Sequence, residues 1–123
     1  MHELTVAAQI RSTLERELVP EADAVAVDVV RVQVGALTGL VPEALEFVWP
    51  HAVADSSLLG HAAIEVELVE AAIECGACGS TSTTAVVRAL RCPVCRSPDI
   101  QVVGGDELDI VSIDVSDRGT AVT

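Results

Sequence analysis

Two C-x-x-C motifs constrain this chain more than any other feature of its sequence. They are Cys75–Cys78 and Cys92–Cys95, with 13 residues between them. One such motif can be a redox dithiol, but two at this distance typically bring four sulfurs to a single ion. A tetrahedral S4 set suits Zn(II) and leaves no coordination position open. The spacing therefore predicts a structural zinc site, although the residues alone do not distinguish zinc from iron.

The segment around these cysteines, residues 74–105, differs from the rest of the chain. It is rich in small residues and contains little that could form a core. A segment of about 30 residues is too short to stabilise itself by apolar burial, so the metal must supply its folding free energy. All three histidines lie outside it, which excludes a site of two cysteines and two histidines within the segment.

Composition limits the possible partners and compartment. The formal net charge is -12, and a surface this acidic repels nucleic acid and anionic lipid. The chain opens without the basic start and apolar run of a secretory signal, and charged residues interrupt every valine-rich stretch. We therefore expect a cytoplasmic protein that binds neither nucleic acid nor membrane. In that compartment cysteines are typical metal ligands rather than disulfides.

Helical periodicity marks two segments before the cysteines. Residues 4–18 form the first, and Pro42, at a favoured first position, begins the second. The predicted buried positions are Leu4, Ala7, Leu14 and Leu18 in the first helix, and Leu45, Val48, Trp49 and Ala52 in the second. Pro50 lacks an amide hydrogen and crowds the preceding turn, so we expect a kink or an early end there.

Three segments are predicted as strands. The valine-rich stretch Val25–Gly35 should bury its face from Val30 to Val34. Residues 62–71 alternate, with Ile64, Val66 and Leu68 expected inward. Residues 107–115 alternate with a phase change, which predicts a bulge near 111–112. The end of the chain is expected to fray.

Together these elements predict an α+β fold in which two helices pack on a three-stranded sheet, with an inserted zinc-ribbon-like module built on four cysteines. The α+β domain is discontinuous and comprises residues 1–73 and 106–116. The zinc-binding module comprises residues 74–105, and residues 117–123 form a flexible tail.

The N-terminal residues suggest a second metal site. The Met1 amine, the His2 backbone nitrogen and the His2 imidazole can chelate one ion, and the Glu3 carboxylate or backbone nitrogen can complete the set. Nitrogen donors in a tetragonal arrangement suit Ni(II) or Cu(II). Taken alone, however, a terminal histidine is more often simply exposed, and a helix N-terminus disfavours a cation. His51 and His61 are interpreted as ordinary polar residues.

Several motifs in order resemble the HypA/HybF family of hydrogenase maturation proteins. They are Met1-His-Glu-Leu4, Val32-Gln-Val-Gly-Ala-Leu-Thr-Gly39, the helix after Pro42, Ile64-Glu-Val-Glu67, Cys92-Pro-Val-Cys95, Ser97-Pro-Asp-Ile100 and Gly105-Asp-Glu-Leu108. The resemblance covers nearly the whole chain. The departures are Val41, where the family often has Asp as a helix cap, Trp49-Pro50-His51 within the second helix, and a loose match from Asp55 to His61.

The resemblance implies a nickel metallochaperone that inserts Ni(II) into the large subunit of a [NiFe]-hydrogenase together with a HypB-type GTPase. It makes residues 1–73 and 106–116 a nickel-binding domain, with His2, Met1 and Glu3 as nickel ligands. It also implies that the zinc ligands are Cys75, Cys78, Cys92 and Cys95. No nucleophile–base set is evident, so an enzyme is not expected.

Two other functions fit parts of the sequence. A zinc-ribbon protein-interaction adaptor would use the cysteine module and would have no nickel role. A rubredoxin-like electron carrier would hold iron in the same S4 site and would be coloured, so metal content distinguishes it.

Overall fold

A computed structural model describes residues 3–18, 24–84 and 91–117. The elements in chain order are α1 Glu3–Glu17, β1 Val25–Gly35, a 3-10 turn at Ala36–Thr38, α2 Pro42–Val53, β2 Ala63–Val69, β3 Ala71–Cys75, β4 Thr81–Thr84, β5 Ile100–Gly104 and β6 Leu108–Asp117. They confirm the predicted α+β class, with two helices and a cysteine-bearing insertion. None of the helices in these ranges is long and apolar enough to cross a bilayer.

The first sheet has β1 at its centre, in the order β2-β1-β6. β1 pairs parallel with β2 and antiparallel with β6. Parallel neighbours require a crossover connection, which α2 provides here. The predicted valine face is buried at Val30, Val32 and Val34. Val27 is buried as well, because the pairing with β6 shifts register between Val27 and Val29 and so changes the phase of the strand.

The bulge predicted in the last strand is confirmed. Arg31 pairs with Ser112 and Val32 with Ile110, so Val111 has no partner in β1. This extra residue allows Ile110 and Ile113 both to pack against the core. β6 continues to Asp117, two residues beyond the predicted end, and residues 118–123 of the predicted flexible tail lie outside the described part of the chain.

The buried stripe of α1 differs from the prediction at its start. Val6, Ala7, Ile10 and Leu14 are buried, whereas Leu4 is 49% exposed. The four-residue spacing from Val6 to Leu14 defines the inner face, and Leu4 lies outside that stripe.

Of the two outcomes expected at Pro50, a kink or an early end, the early end does not occur, because α2 runs on to Val53. Leu45, Trp49 and Val53 are spaced four residues apart and fully buried, so packing anchors the helix on both sides of the proline. The Trp49 Nε1–H also donates to the Ala62 carbonyl over 3.0 Å. Pro50 itself is exposed, on the side of the helix away from the core. Val48 and Ala52 of the predicted stripe are only partly buried.

The residue immediately before α2 has no side-chain group that could cap the N-terminus of this helix. Val41 precedes the first helical residue, and as expected it makes no capping hydrogen bond. A Glu3 carboxylate oxygen lies 3.4 Å from the Val41 amide nitrogen and accepts its hydrogen. A carboxylate from α1 therefore partly replaces the missing cap, and its charge is favourable at a helix N-terminus.

The strand predicted over residues 62–71 is two strands. β2 ends at Val69, and β3 begins at Ala71 in a second, antiparallel sheet of order β4-β3-β5. Ile64 is buried and Val66 partly buried as predicted, but Leu68 is 41% exposed. β2 is an edge strand, so its side chains have a neighbouring strand on one side only.

The chain passes between the two sheets at a close backbone contact. The Gly35 amide donates to the Glu107 carbonyl, and the Leu37 amide donates to the Gly105 carbonyl, both over 2.7 Å. A Cβ on Gly35 would collide with the Gly105 carbonyl. A Cβ on Gly105, whose φ is 110°, would lie 2.6 Å from the Ala71 Cα. The absence of side chains at Gly35 and Gly105 therefore allows the backbone after β5 to approach both the end of β1 and the start of β3 closely.

Candidate metal centre

The four cysteines meet at one end of the second sheet. Cys75 is the last residue of β3, Cys78 lies in the turn that follows, and Cys92 and Cys95 lie in the segment before β5. Their sulfurs all lie within 4.8 Å of one another. Among the residues described, no other group of three or more histidine, cysteine or carboxylate side chains is placed to hold a metal ion.

The spacing of the sulfurs matches a tetrahedral thiolate site. The Sγ atoms of Cys75 and Cys95 are 3.5 Å apart, and those of Cys78 and Cys92 are 3.6 Å apart. Zn–S bonds of about 2.3 Å in a tetrahedron place sulfurs about 3.8 Å apart. The residues present therefore fit one zinc ion, and four sulfur ligands leave no position for a catalytic water.

Each C-x-x-C motif and the two residues after it form a knuckle, residues 75–80 and 92–97, and the first knuckle folds around its leading sulfur. The amides of Ala77 and Cys78 point at the Cys75 Sγ over 3.3 and 3.4 Å. The Gly79 amide donates to the Cys75 carbonyl over 3.0 Å, and the Cys75 amide donates to the Ser80 carbonyl over 2.9 Å. The backbone amides of this turn therefore surround the leading sulfur, which is the arrangement that a metal-bound cysteine requires.

The second knuckle repeats this arrangement. The amides of Val94 and Cys95 point at the Cys92 Sγ, each over 3.4 Å. The Arg96 amide donates to the Cys92 carbonyl over 2.8 Å, and the Cys92 amide donates to the Ser97 carbonyl over 3.0 Å. The two motifs are therefore local structural equivalents, as a site built from two like halves requires.

Burial also divides each knuckle in the same way. The leading cysteines are almost fully buried, with exposed fractions of 6% at Cys75 and 2% at Cys92. The second cysteines, Cys78 and Cys95, are exposed. One side of the sulfur cluster thus faces the sheet, and the other faces solvent.

The sulfurs have different proton affinities. A hydrogen bond from the Ser80 hydroxyl, with backbone amides of its own knuckle, lowers the pKa of Cys92 to about 5. The same hydroxyl lowers the pKa of Cys78. The Ser97 amide lowers the pKa of Cys95, but the neighbouring Cys75 sulfur and burial outweigh it and raise that pKa to about 12. Four sulfurs this close ionise together only when a cation compensates their charge.

The N-terminal residues are placed only in part. Met1 and His2 lie outside the described residues, so their role as nickel ligands stays a prediction. Glu3 is the first described residue and begins α1. His51 and His61 are exposed, and the His51 ring lies 6.2 Å from that of Phe47.

One residue beside the cysteines was not singled out from the sequence. The Ser80 hydroxyl oxygen lies 3.1 Å from the Cys78 Sγ and 3.4 Å from the Cys92 Sγ. Ser80 and Ser97 both follow their second cysteine by two residues. That repeat is visible in the sequence, but it does not indicate which serine contacts the sulfurs.

Comparison with known proteins identifies the family. A model of the HypA family, described as "Hydrogenase/urease nickel incorporation, metallochaperone, hypA", matches residues 1–115. The chain belongs to the HypA family. The family description is that of a metallochaperone, and the match confirms the resemblance drawn from the motifs.

Individual HypA proteins match over almost their full lengths. A hydrogenase maturation factor HypA from Streptomyces avermitilis is 34% identical over 120 residues, which cover 98% of this chain and 91% of that protein. The HypA of Chlorobium limicola is 35% identical over 117 residues, covering 95% of this chain and 98% of that protein. The solution structure of the Ni metallochaperone HypA from Helicobacter pylori superposes with a TM-score of 0.62 over 93% of this chain and 97% of that chain. At 18% identity, it supports the fold alone.

Proposed function

We propose that this chain is a nickel metallochaperone that delivers Ni(II) for the maturation of a [NiFe]-hydrogenase. The observation that carries the proposal is the HypA match over residues 1–115, which includes both the Met1-His2-Glu3 start and all four cysteines. Ni(II) is the transient cargo in this proposal, and Zn(II) is a resident structural ion. The partners are a HypB-type GTPase and the hydrogenase large subunit.

The zinc assignment rests on the sulfur cluster. We assign Cys75, Cys78, Cys92 and Cys95 as its ligands, because their spacing fits a tetrahedral S4 site. When bound, the ion holds the two knuckles together and supplies no open coordination position. The role also places the protein in the cytoplasm, where reducing conditions keep thiols available to a metal.

The nickel assignment rests on the chemistry of residues 1–3. The Met1 amine, the His2 backbone nitrogen and the His2 imidazole are the nitrogen donors that Ni(II) prefers in a tetragonal site. The Glu3 carboxylate already accepts the Val41 amide hydrogen at the start of α2. We therefore favour the Glu3 backbone nitrogen over its carboxylate as the fourth donor. The chain's net charge of -12 offsets the positive end of α1.

Nickel titration of untagged protein tests this function. The variants are wild type, His2→Ala, and a chain with one additional N-terminal residue, with the exposed His61→Ala as the matched control. We expect wild type and His61→Ala to bind nickel alike. The other two should lose more affinity than the roughly 10–100-fold typical of outer-shell changes, because each removes or displaces a direct ligand.

Acid should weaken nickel binding, because a terminal amine and an imidazole lose their protons around pH values of about 7.7–8.0 and about 6.5. Equal nickel binding by all four proteins, or affinity that stays constant from pH 8 to pH 5, would contradict the chelate. A zinc-loaded protein that ignores nickel would instead support a zinc-ribbon adaptor.

A further inference from the structure

We infer that Ser80 is a positioning residue of the zinc site, whose hydroxyl connects the two knuckles by donating to the sulfurs of Cys78 and Cys92. The inference rests on the proposed zinc assignment and adds to it a residue that is not a ligand. Ser80 lies between the first knuckle and β4, where the chain turns back along the sheet.

The hydroxyl sits against one sulfur from each knuckle. Its oxygen is 3.1 Å from the Cys78 Sγ and 3.4 Å from the Cys92 Sγ, and these two sulfurs are 3.6 Å apart. A metal-bound cysteine is a thiolate and can only accept a hydrogen bond. The serine must therefore be the donor. Because Ser80 belongs to the first knuckle, it connects the two halves by sharing its single proton between both sulfurs or by donating it to the Cys92 Sγ.

This contact supplies something that the backbone does not. Each leading sulfur, at Cys75 and Cys92, has two amide donors from its own knuckle. Those donors stabilise the two halves separately. The Ser80 hydroxyl instead reaches from the first half to the second. Hydrogen bonds to ionised acceptors are stronger than neutral ones, and the Cys92 sulfur is buried, which strengthens the contact further.

Ser97 provides an internal comparison. It occupies the same place in the second knuckle, and its carbonyl accepts the Cys92 amide as the Ser80 carbonyl accepts the Cys75 amide. Its hydroxyl oxygen, however, accepts the Asp99 amide over 3.0 Å within its own loop. The two serines therefore share a backbone role and differ in what their hydroxyls contact.

The test compares zinc affinity in wild type, Ser80→Ala, Ser80→Thr and Ser97→Ala, measured by competition with a chromophoric chelator. We expect Ser80→Ala to weaken zinc binding by about 10-fold, the lower end of the effect of losing an outer-shell partner. Ser80→Thr keeps the hydroxyl and should restore the affinity. Ser97→Ala should match wild type, because its hydroxyl serves the loop rather than the sulfurs.

A spectroscopic measurement separates positioning from general loop stability. In the Co(II)-substituted protein, the thiolate-to-cobalt charge-transfer band should move to lower energy in Ser80→Ala, because a sulfur that loses a donor holds its electrons less tightly. The band should stay in place in Ser80→Thr and Ser97→Ala. An unchanged band and affinity in Ser80→Ala, or equal losses in both alanine variants, would overturn the inference. Wild-type protein without zinc would instead overturn the zinc assignment, and the role of Ser80 with it.

Discussion

Gly79 and Arg96 occupy the same position in the two knuckles, and both have a left-handed backbone, with φ of 76° and 64°. Each donates its amide to the carbonyl of its leading cysteine four residues earlier. Glycine adopts this conformation without cost, whereas a residue with a side chain does not. The second knuckle therefore carries conformational strain that the first avoids.

This difference predicts opposite effects of two substitutions. Arg96→Gly should stabilise the zinc-bound form, and Gly79→Ala should destabilise it, each by about 1–2 kcal/mol. Space around a Cβ at Gly79 is open, so the loss would be conformational rather than steric. Chelator competition for zinc measures both effects. Gly39, with φ of 75° and equally open space, is the control, because Gly39→Ala should leave zinc affinity unchanged. Weaker zinc binding in Arg96→Gly would show that the arginine side chain matters more than its backbone.

Removal of zinc should unfold the second sheet and leave the first intact. Among the described residues from 71 to 104, only Ala71, Ile73, Cys75 and Cys92 are buried hydrophobic residues. That is too little apolar burial to hold the sheet without the metal. Trp49, the single tryptophan, is buried in the core that the helices form with the first sheet and reports on that part alone.

Hydrogen exchange and tryptophan emission during chelation measure the two regions separately. Protection should fall in β3, β4 and β5, while the Trp49 emission stays at its native wavelength. A red shift of that emission on zinc loss would show that both sheets unfold together.

The contact between the sheets should tolerate no side chain at Gly35 or Gly105. Gly35→Ala would force its Cβ into the Gly105 carbonyl, and Gly105→Ala combines a positive φ with a 2.6 Å approach to Ala71. We expect each to lower the free energy of unfolding by more than about 2 kcal/mol. Denaturant melts provide the measurement. Gly104→Ala is the neighbouring control, since its Cβ would lie 3.5 Å from the Ala72 Cβ, an ordinary contact. Equal melts for all three variants would refute the role of the backbone contact.

Acid should remove the contribution that one cross-strand ion pair makes to the free energy of unfolding. The two terminal guanidinium nitrogens of Arg31, Nη1 and Nη2, each donate to the Asp114 carboxylate over 2.9 Å. This hydrogen bonding holds the pKa of Asp114 below its ordinary value of 3.8. The folded state therefore favours the charged form, and the pair stabilises the protein above that ordinary value. The contribution is lost as the pH falls through the lowered pKa.

Chemical unfolding of wild type and Asp114→Asn from neutral pH to about pH 3 tests this expectation. Wild type should be the more stable at neutral pH, and the difference should shrink in acid. Protonation of the cysteines affects both proteins equally and cancels in the comparison. Asp109→Asn changes another exposed carboxylate of β6 and controls for net charge. A difference between wild type and Asp114→Asn that is as large at pH 3 as at neutral pH would contradict the assignment.

The periodicity of apolar residues predicted those elements that bury one face along most of their length. The valine face of β1 and the bulge at Val111 follow from such patterns. The start of α2 follows from the preference of proline for the first helical position. The early end considered at Pro50 does not occur, because the tertiary packing of Trp49 and Val53 outweighs the local cost of a proline inside the helix. β4 was not predicted either, since its four residues are threonines and serine that carry no apolar alternation.

The part of the candidate site that follows a spacing motif along the sequence could be predicted. Two C-x-x-C motifs were enough to expect four sulfurs together, and the structure brings them within 4.8 Å. The contact of Ser80 with two sulfurs depends on a three-dimensional approach between knuckles, which no local pattern encodes. The donor role of Met1 and His2 stays a prediction, supported by family membership.

The touching backbones of Ala71 and Gly105 also bear on how such proteins diversify. Everything between these two positions departs from and rejoins the rest of the chain at nearly one point in space. We therefore expect a change in the length or surface of that stretch to leave the flanking strands β2 and β6 in place, because the two ends of the stretch stay equally close together.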